Sequence, residues 1–196
     1  MKLYWSARTR SARVVWMLEE LGIEYERVVV DLRQPVAQRD AAFLSASPMG
    51  KVPALEDGAV RMADSAAICL YLADRYGAGR LAPTLEDPER GPYLYWMLFT
   101  PGVIEPSMAE RAGGWTPNPT HHGWGSCDAM VRALEKGLER GPWLLGERFS
   151  AADVLVGSSA VFMRLLKMLP ASAVIDAYAD RCLARPAYGR ALATET

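Results

Sequence analysis

What this chain has little of narrows its reading before any motif is weighed. It has three cysteines, Cys69, Cys127 and Cys182, odd in number, far apart and in no C-x-x-C pair. That pattern argues against a disulfide framework and a zinc site, and it makes redox chemistry by a protein dithiol a poor expectation. Charge of either sign is not in excess: 22 lysines and arginines face 23 aspartates and glutamates, a formal net charge of −1. Neither nucleic acid nor an anionic membrane surface is the expected partner of such a chain. No apolar run approaches the roughly 18 residues of a spanning helix, and Arg8 and Arg10 interrupt the N-terminus before a signal-peptide core forms. A soluble, cytoplasmic protein is expected. The two histidines, His121 and His122, are adjacent, point apart and have no third ligand in view, so no metal is expected.

What is present is apolar content enough for sizeable cores, 51% of 196 residues, in a length suited to two small domains. The most informative stretch is PMGKVPALEDGAVRMADSAAICLYLADRY, residues 48–76. Two apolar runs flank Asp57-Gly58, which reads as a two-residue hairpin. Asp64 and Ser65 can each accept a hydrogen bond from the next turn, so a helix starts there and runs to Tyr76, with Gly77 to end it. Pro53 occupies a strand edge, a position where proline is often cis, and there Val52 offers its backbone N–H and C=O to a peptide-like partner. The helix end at Ser65 suits a carboxylate or a phosphate. These residues describe either a site for a small peptide-like anion or a plain capped hairpin–helix corner.

The rest of the chain supplies the context. Lys2–Trp5 is β-prone, Val14, Met17, Leu18 and Leu21 form a helical stripe closed by Gly22, and residues 23–30 read as a second strand. Residues 35–44 are weakly helical. The order β-α-β-α-β-β-α is thioredoxin-like, with parallel strands joined by the first crossover. Residues 78–88, GAGRLAPTLEDP from Gly77 on, read as a linker between a domain at 1–77 and an all-helical one at 89–196. In the latter, Pro101 and Pro106 interrupt or kink the first helix, and residues 112–125 form a loop of Gly, Pro, Trp and His. Ser150 and Asp153 make a capping-box start, with Phe149 placed to pack on Val154. The helix they open is apolar nearly all round, to about Leu169.

Four segments together resemble a glutathione S-transferase of a bacterial, Ser/Thr-hydroxyl type: SARTRSARVVWMLEELGIEYE, PMGKVPALEDG, ADSAAICLYLADRY and LLGERFSAADV. The resemblance implies an α/β thioredoxin-like domain that binds glutathione as co-substrate, an all-α bundle that lines an electrophile pocket, a homodimer and a detoxifying role. It places Val52 and Pro53 on the cysteinyl unit, and Asp64 and Ser65 on the γ-glutamyl end. Lys51 and Arg39 fall where the glycine carboxylate is often met, although each also reads as an ordinary solvated charge. Aligning Arg13 puts Thr9 on the catalytic hydroxyl, with Ser11 as competitor and Ser6 third; for Thr9 and Ser11 helix capping is the structural alternative. Tyr4 lies within the first strand and no cysteine is near, so tyrosine and cysteine mechanisms are disfavoured. Ser150 and Asp153 match a folding motif of the family. Trp96, Phe99 and Trp115 are candidates for the electrophile pocket, with buried packing as the alternative. The expected activity is attack of glutathione thiolate on a small apolar electrophile. The rivals are a non-catalytic glutathione-binding or scaffold protein, and a glutathione-dependent isomerase, ether-cleaving enzyme or dehalogenase.

Overall fold

The computed structural model describes residues 1–193. Residues 194–196, assigned above to the helical domain, lie outside the described residues. The chain divides into two compact units, Met1–Gly77 with the segment from Pro186 onward, and Ala78–Arg185.

In the first unit, β1 (Lys2–Trp5), α1 (Ser11–Leu21), β2 (Glu26–Val29), α2 (Ala41–Ala46), β3 (Ala54–Asp57), β4 (Val60–Ala63) and α3 (Ser65–Tyr76) follow in the expected order. The sheet order is β2-β1-β3-β4. β1 runs parallel to β2 and antiparallel to β3, with Lys2 opposite Glu26 and Tyr4 opposite Ala54. Alternation sends Tyr4, Val30 and Ala54 into a core with Phe43 and Ala46 of α2, while Leu3 and Leu55, directly opposed across β1 and β3, are buried on the other face. Gly22 ends α1 in the left-handed region at φ 69°.

The hairpin turn is displaced by one residue from its expected place. Asp57 pairs with Val60, so the turn is Gly58-Ala59, and Gly58 at φ 60° takes the position that primed turns require. Asp57 is kept in the strand by its carboxylate, whose Oδ2 accepts from the Tyr71 hydroxyl at 2.8 Å and the Tyr76 hydroxyl at 2.6 Å, both on α3. The expected strand at 23–30 shortens to Glu26–Val29, and the weakly helical 35–44 resolves into a 3₁₀ turn, Val36–Gln38, and α2.

The helical unit holds α4 (Arg90–Phe99), α5 (Glu105–Gly113), α6 (Cys127–Gly137), α7 (Ala151–Leu165) and α8 (Ala173–Leu183). Between α4 and α5 the chain does not break; Thr100–Ile104 widens into a π-helical turn in which Glu105 N–H reaches Thr100 C=O, accommodating Pro101, which has no N–H to give. Asp153 organises this unit. Its carboxylate accepts from Leu144 N–H, Ser150 N–H, the Ser150 hydroxyl and the Tyr178 hydroxyl, and the capping box at Ser150 is complete. The ring of Phe149, just before this start, meets Trp143 at 4.9 Å and lies under the Arg185 guanidinium at 3.4 Å. α7 stops at Leu165, short of the expected Leu169, where Lys167 turns into the left-handed region at φ 54°.

Two boundaries differ from the sequence reading. Residues 78–88 are built into the second unit, where Arg148 bonds the Asp87 carboxylate and Gly79 C=O. The last helix, α9 (Pro186–Ala193), belongs with the first unit and not with the bundle: Tyr188 stands edge-on to Trp16 of α1 at 4.8 Å, and Arg190 bonds Glu19 at 2.8 Å. Neither partner of those contacts can be paired from sequence spacing alone.

Candidate functional site

Three chain segments leave the sheet of the first unit at one end. β1 finishes at Trp5 and passes into the Ser6–Arg10 loop. Ala54 is the residue of β3 opposite Tyr4, so Val52 and Pro53 precede it at that same end, and Ala63, opposite Ala54 on β4, leads directly into Asp64 and Ser65. The carboxyl end of a parallel strand is where α/β sheets commonly receive ligands.

The Val52–Pro53 peptide is cis. Among the described residues neither the N–H nor the C=O of Val52 has a hydrogen-bond partner, while its neighbour Lys51 has both backbone groups tied to the Ser47 hydroxyl at 2.9 and 2.7 Å. An unpaired donor and acceptor on one residue can pair with an extended peptide as a strand would.

Asp64 stands at φ 78°, ψ 125°, a conformation that costs a non-glycine residue about 1–3 kcal/mol and tends to persist at functional sites. Its Oδ1 caps α3, accepting from Ala66 N–H at 2.8 Å and Ala67 N–H at 3.0 Å. The other carboxylate oxygen has no partner among the described residues. Ser65 is buried, and its Oγ accepts from Arg13 Nη1 of α1 at 3.2 Å. A hydroxyl that accepts from a guanidinium keeps its own proton to donate, and the buried cation behind it adds to the positive end of the helix. Arg13 is the residue that sequence reasoning used only as an alignment mark. Its signal was an arginine on the buried stripe of an amphipathic helix, where an unpartnered charge is not tolerated.

At the β1–α1 loop the two candidate hydroxyls separate. Ser11 is completely buried. Thr9 is partly exposed; its Oγ1 lies 2.7 Å from Ser6 C=O and 2.9 Å from Ser11 Oγ, and accepts Ser11 N–H at 3.1 Å. Thr9 thus holds the N–H that opens α1 and is the less buried of the two hydroxyls. Ser6 contributes its carbonyl to this arrangement. Tyr4 is occupied elsewhere: its hydroxyl donates to Glu56 at 3.3 Å, and burial first, then Glu56, pushes its pKa up. Cys69, the cysteine nearest in the fold to Arg13, is fully buried and its thiol is pushed up to about 12 by that burial.

The remaining candidates of the first unit differ in what they already hold. Arg39 is spent on the main chain, donating to the carbonyls of Gly50, of Leu32 at 2.8 Å and of Gln34 at 3.1 Å, which clamps the loop after β2. Gly50 is required there, since a Cβ would come within 2.8 Å of Val36 and φ is 65°. Lys51 remains exposed. In the helical unit, Trp96 and Phe99 are core residues, edge to face at 4.9 Å, with Trp96 lying so close over Gly137 that a Cβ would collide with it. Trp115 is 56% exposed and folds over Gly113. Packing of this kind is the default for aromatics at helical spacing. Among the described residues no group of three or more His, Cys, Asp or Glu side chains could hold a metal ion, and no helix is long and apolar enough to cross a membrane.

A thioredoxin-like α/β unit joined to a helical unit, with this constellation at the end of β1, defines a class, and comparison with known proteins names it. Residues 8–75 match the model of the glutathione S-transferase N-terminal domain, and residues 110–184 that of the C-terminal domain. The chain belongs to the glutathione S-transferase family. It is 31% identical to a glutathione transferase from Methylococcus capsulatus (strain Bath), covering 99% of this chain and 98% of that one with a TM-score of 0.78. A sphingomonad glutathione S-transferase, solved in complex with glutathione, is 28% identical over 100% of this chain and 98% of its own, with a TM-score of 0.77. Among curated proteins, the Escherichia coli disulfide-bond oxidoreductase YfcG is 29% identical over 97% of this chain and 93% of its own.

Proposed function

We propose that this protein is a glutathione transferase that binds glutathione at the end of β1 and directs its thiolate at a small apolar electrophile. The observation that carries the reading is the Arg13–Ser65 pair at the start of α3, which leaves a proton-bearing hydroxyl and a helix N-terminus to receive a carboxylate. The γ-glutamyl carboxylate would take Ser65, its ammonium the free oxygen of Asp64, and the cysteinyl peptide the open N–H and C=O of Val52. Lys51 is left to meet the glycine carboxylate, with Arg39 committed to its loop.

Thr9 supplies the remaining hydroxyl. Lowering a thiol pKa from about 8.5 by about two units requires nearly 3 kcal/mol of preferential thiolate stabilisation. A helix end contributes about 0.3–1 kcal/mol, and a hydrogen bond to the charged sulfur about 1.5–3 kcal/mol. Together they reach the requirement. The Thr9 proton, which rests on Ser6 C=O, would turn to sulfur while Ser11 N–H continues to hold the oxygen. The thiol proton leaves to solvent, the thiolate forms a C–S bond, and the leaving group departs with its bonding pair; in conjugate addition the pair moves along the activated double bond.

The likeness to a disulfide-bond oxidoreductase supports a second reading, in which the acceptor is a disulfide. Cys69 and Cys182 are buried, and the three cysteines form no C-x-x-C pair. Exchange would then run on the thiol of glutathione and not on a protein cysteine. Retention on immobilised glutathione, followed by turnover of chlorodinitrobenzene and, separately, of a small mixed disulfide, decides among the readings. Aryl turnover supports transfer, disulfide turnover alone the second reading, retention without either a binding protein, and no retention overturns all three. The homodimer is part of the same proposal, read from molecular mass by light scattering at micromolar concentration.

A further inference from the structure

The groups offered to the two ends of glutathione differ in how they are built. At the γ-glutamyl end they are held below the surface. Ser65 is 4% exposed and Arg13 9%, and the guanidinium donates to Ser65 Oγ at 3.2 Å. Asp64 is fixed by the two N–H groups of α3 that it caps. A charged group docking there meets partners already in place and shielded from water, where a hydrogen bond to charge counts most.

The glycine end falls to Lys51 and Arg39, and neither is placed in that way. Arg39 donates Nε to Gln34 C=O at 3.1 Å, Nη2 to Leu32 C=O and Gln34 C=O at 2.8 Å each, and Nη1 to Gly50 C=O. Turning to a ligand would cost it these bonds, which tie the loop of residues 31–39 to the residue before Lys51. Lys51 is exposed, and so are residues 31–38 throughout. An exposed ammonium pairs weakly with a carboxylate, because solvent screens the charge and the long side chain loses freedom on being held.

We propose, on the reading that glutathione binds at this site, that the co-substrate is selected as a γ-glutamylcysteinyl thiol with little regard for its C-terminal group. Glutathione esterified or amidated at its glycine then binds nearly as well as glutathione. Such compounds keep the ammonium and carboxylate that meet Asp64 and Ser65, and the cysteinyl N–H and C=O that meet Val52. Their sulfur is unaltered, so the thiolate chemistry is the same.

Calorimetric titration of the whole protein tests this by varying the ligand and leaving the chain untouched. The ethyl ester and the propylamide of glutathione, both blocked at the glycine carboxylate, should bind within about fivefold of glutathione, the limit set by an exposed ion pair. Cysteinylglycine, which lacks the γ-glutamyl group, should bind about thirtyfold weaker or worse, having given up charge-assisted bonds to Ser65 and Asp64. A loss beyond about fivefold for the ester and the amide, with glutathione itself bound, overturns the proposal and not the glutathione site. Cysteinylglycine binding within about thirtyfold of glutathione also overturns it. If glutathione does not bind, the transferase reading falls and this selectivity with it.

Discussion

At the scale of single residues, the proposed site depends on which hydroxyl donates to sulfur. Thr9→Val keeps shape but removes the donor, so glutathione bound to that variant should titrate at higher pH with little change in affinity, whereas Thr9→Ser should retain activity. Ultraviolet absorbance of the bound thiolate against pH reads the difference; an unmoved titration in Thr9→Val would leave backbone amides as the stabilisers. Ser65→Ala should weaken glutathione by about 1–3 kcal/mol, the scale of a hydrogen bond to a charged group, and unchanged affinity in the folded variant removes the γ-glutamyl assignment. Asp153 makes a prediction of the opposite kind, about stability. Burial pushes its carboxyl up to about 6 against the pull of the Leu144 and Ser150 N–H groups and the Tyr178 hydroxyl. A carboxyl raised in the folded state contributes stability that is full below its unfolded value of about 3.9 and is lost as pH rises through the folded value. The denaturant midpoint should therefore rise between neutral pH and about pH 5 in the native protein, and that part of the slope should be missing from Asp153→Asn.

At the scale of elements, the joints between helix and sheet are tied by polar residues that sequence periodicity does not rank. Asp57 ends β3, and its carboxyl is held below the usual range first by the Tyr76 hydroxyl, then by Tyr71 and Arg75, with burial opposing them. Its contribution is present above the unfolded value and disappears as pH falls through the lowered one. Tyr76→Phe should raise the Asp57 pKa, which a carboxyl NMR titration reads directly, and should flatten the acid limb of the unfolding curve. At the end of α7, Lys167 carries a side chain where a left-handed residue is required. Lys167→Gly should stabilise the protein by about 1 kcal/mol, since the Cβ penalty of that region is removed; a lower midpoint in urea would show that the lysine side chain contributes more than its backbone costs.

At the scale of the whole molecule, the first unit is completed only by the C-terminal helix. A chain ending at Arg185 would uncover Trp16 and lose the Tyr188 contact and the Arg190–Glu19 bond, and should be destabilised by about 2–4 kcal/mol, mostly from lost apolar burial and the ring pair. Unchanged protection of α1 in the truncated chain would contradict this. The order of elements, the capped starts at Asp64 and Ser150, the glycine ends and the two-domain class were legible from sequence because each is decided within a few residues, by side-chain period, by a hydroxyl or carboxylate beside free N–H groups, or by the backbone freedom of glycine. Tertiary structure alone decided that Arg13 sits behind Ser65, 52 residues away, that Arg39 is consumed by carbonyls, that Trp96 and Phe99 pack one another, and that α9 returns to α1 across 171 residues. Those pairings belong to groups with no local preference for one another. They exist because folding buries polar atoms that must find a partner and apolar faces that must find a cover, and which ones meet is set by the packing of the whole unit.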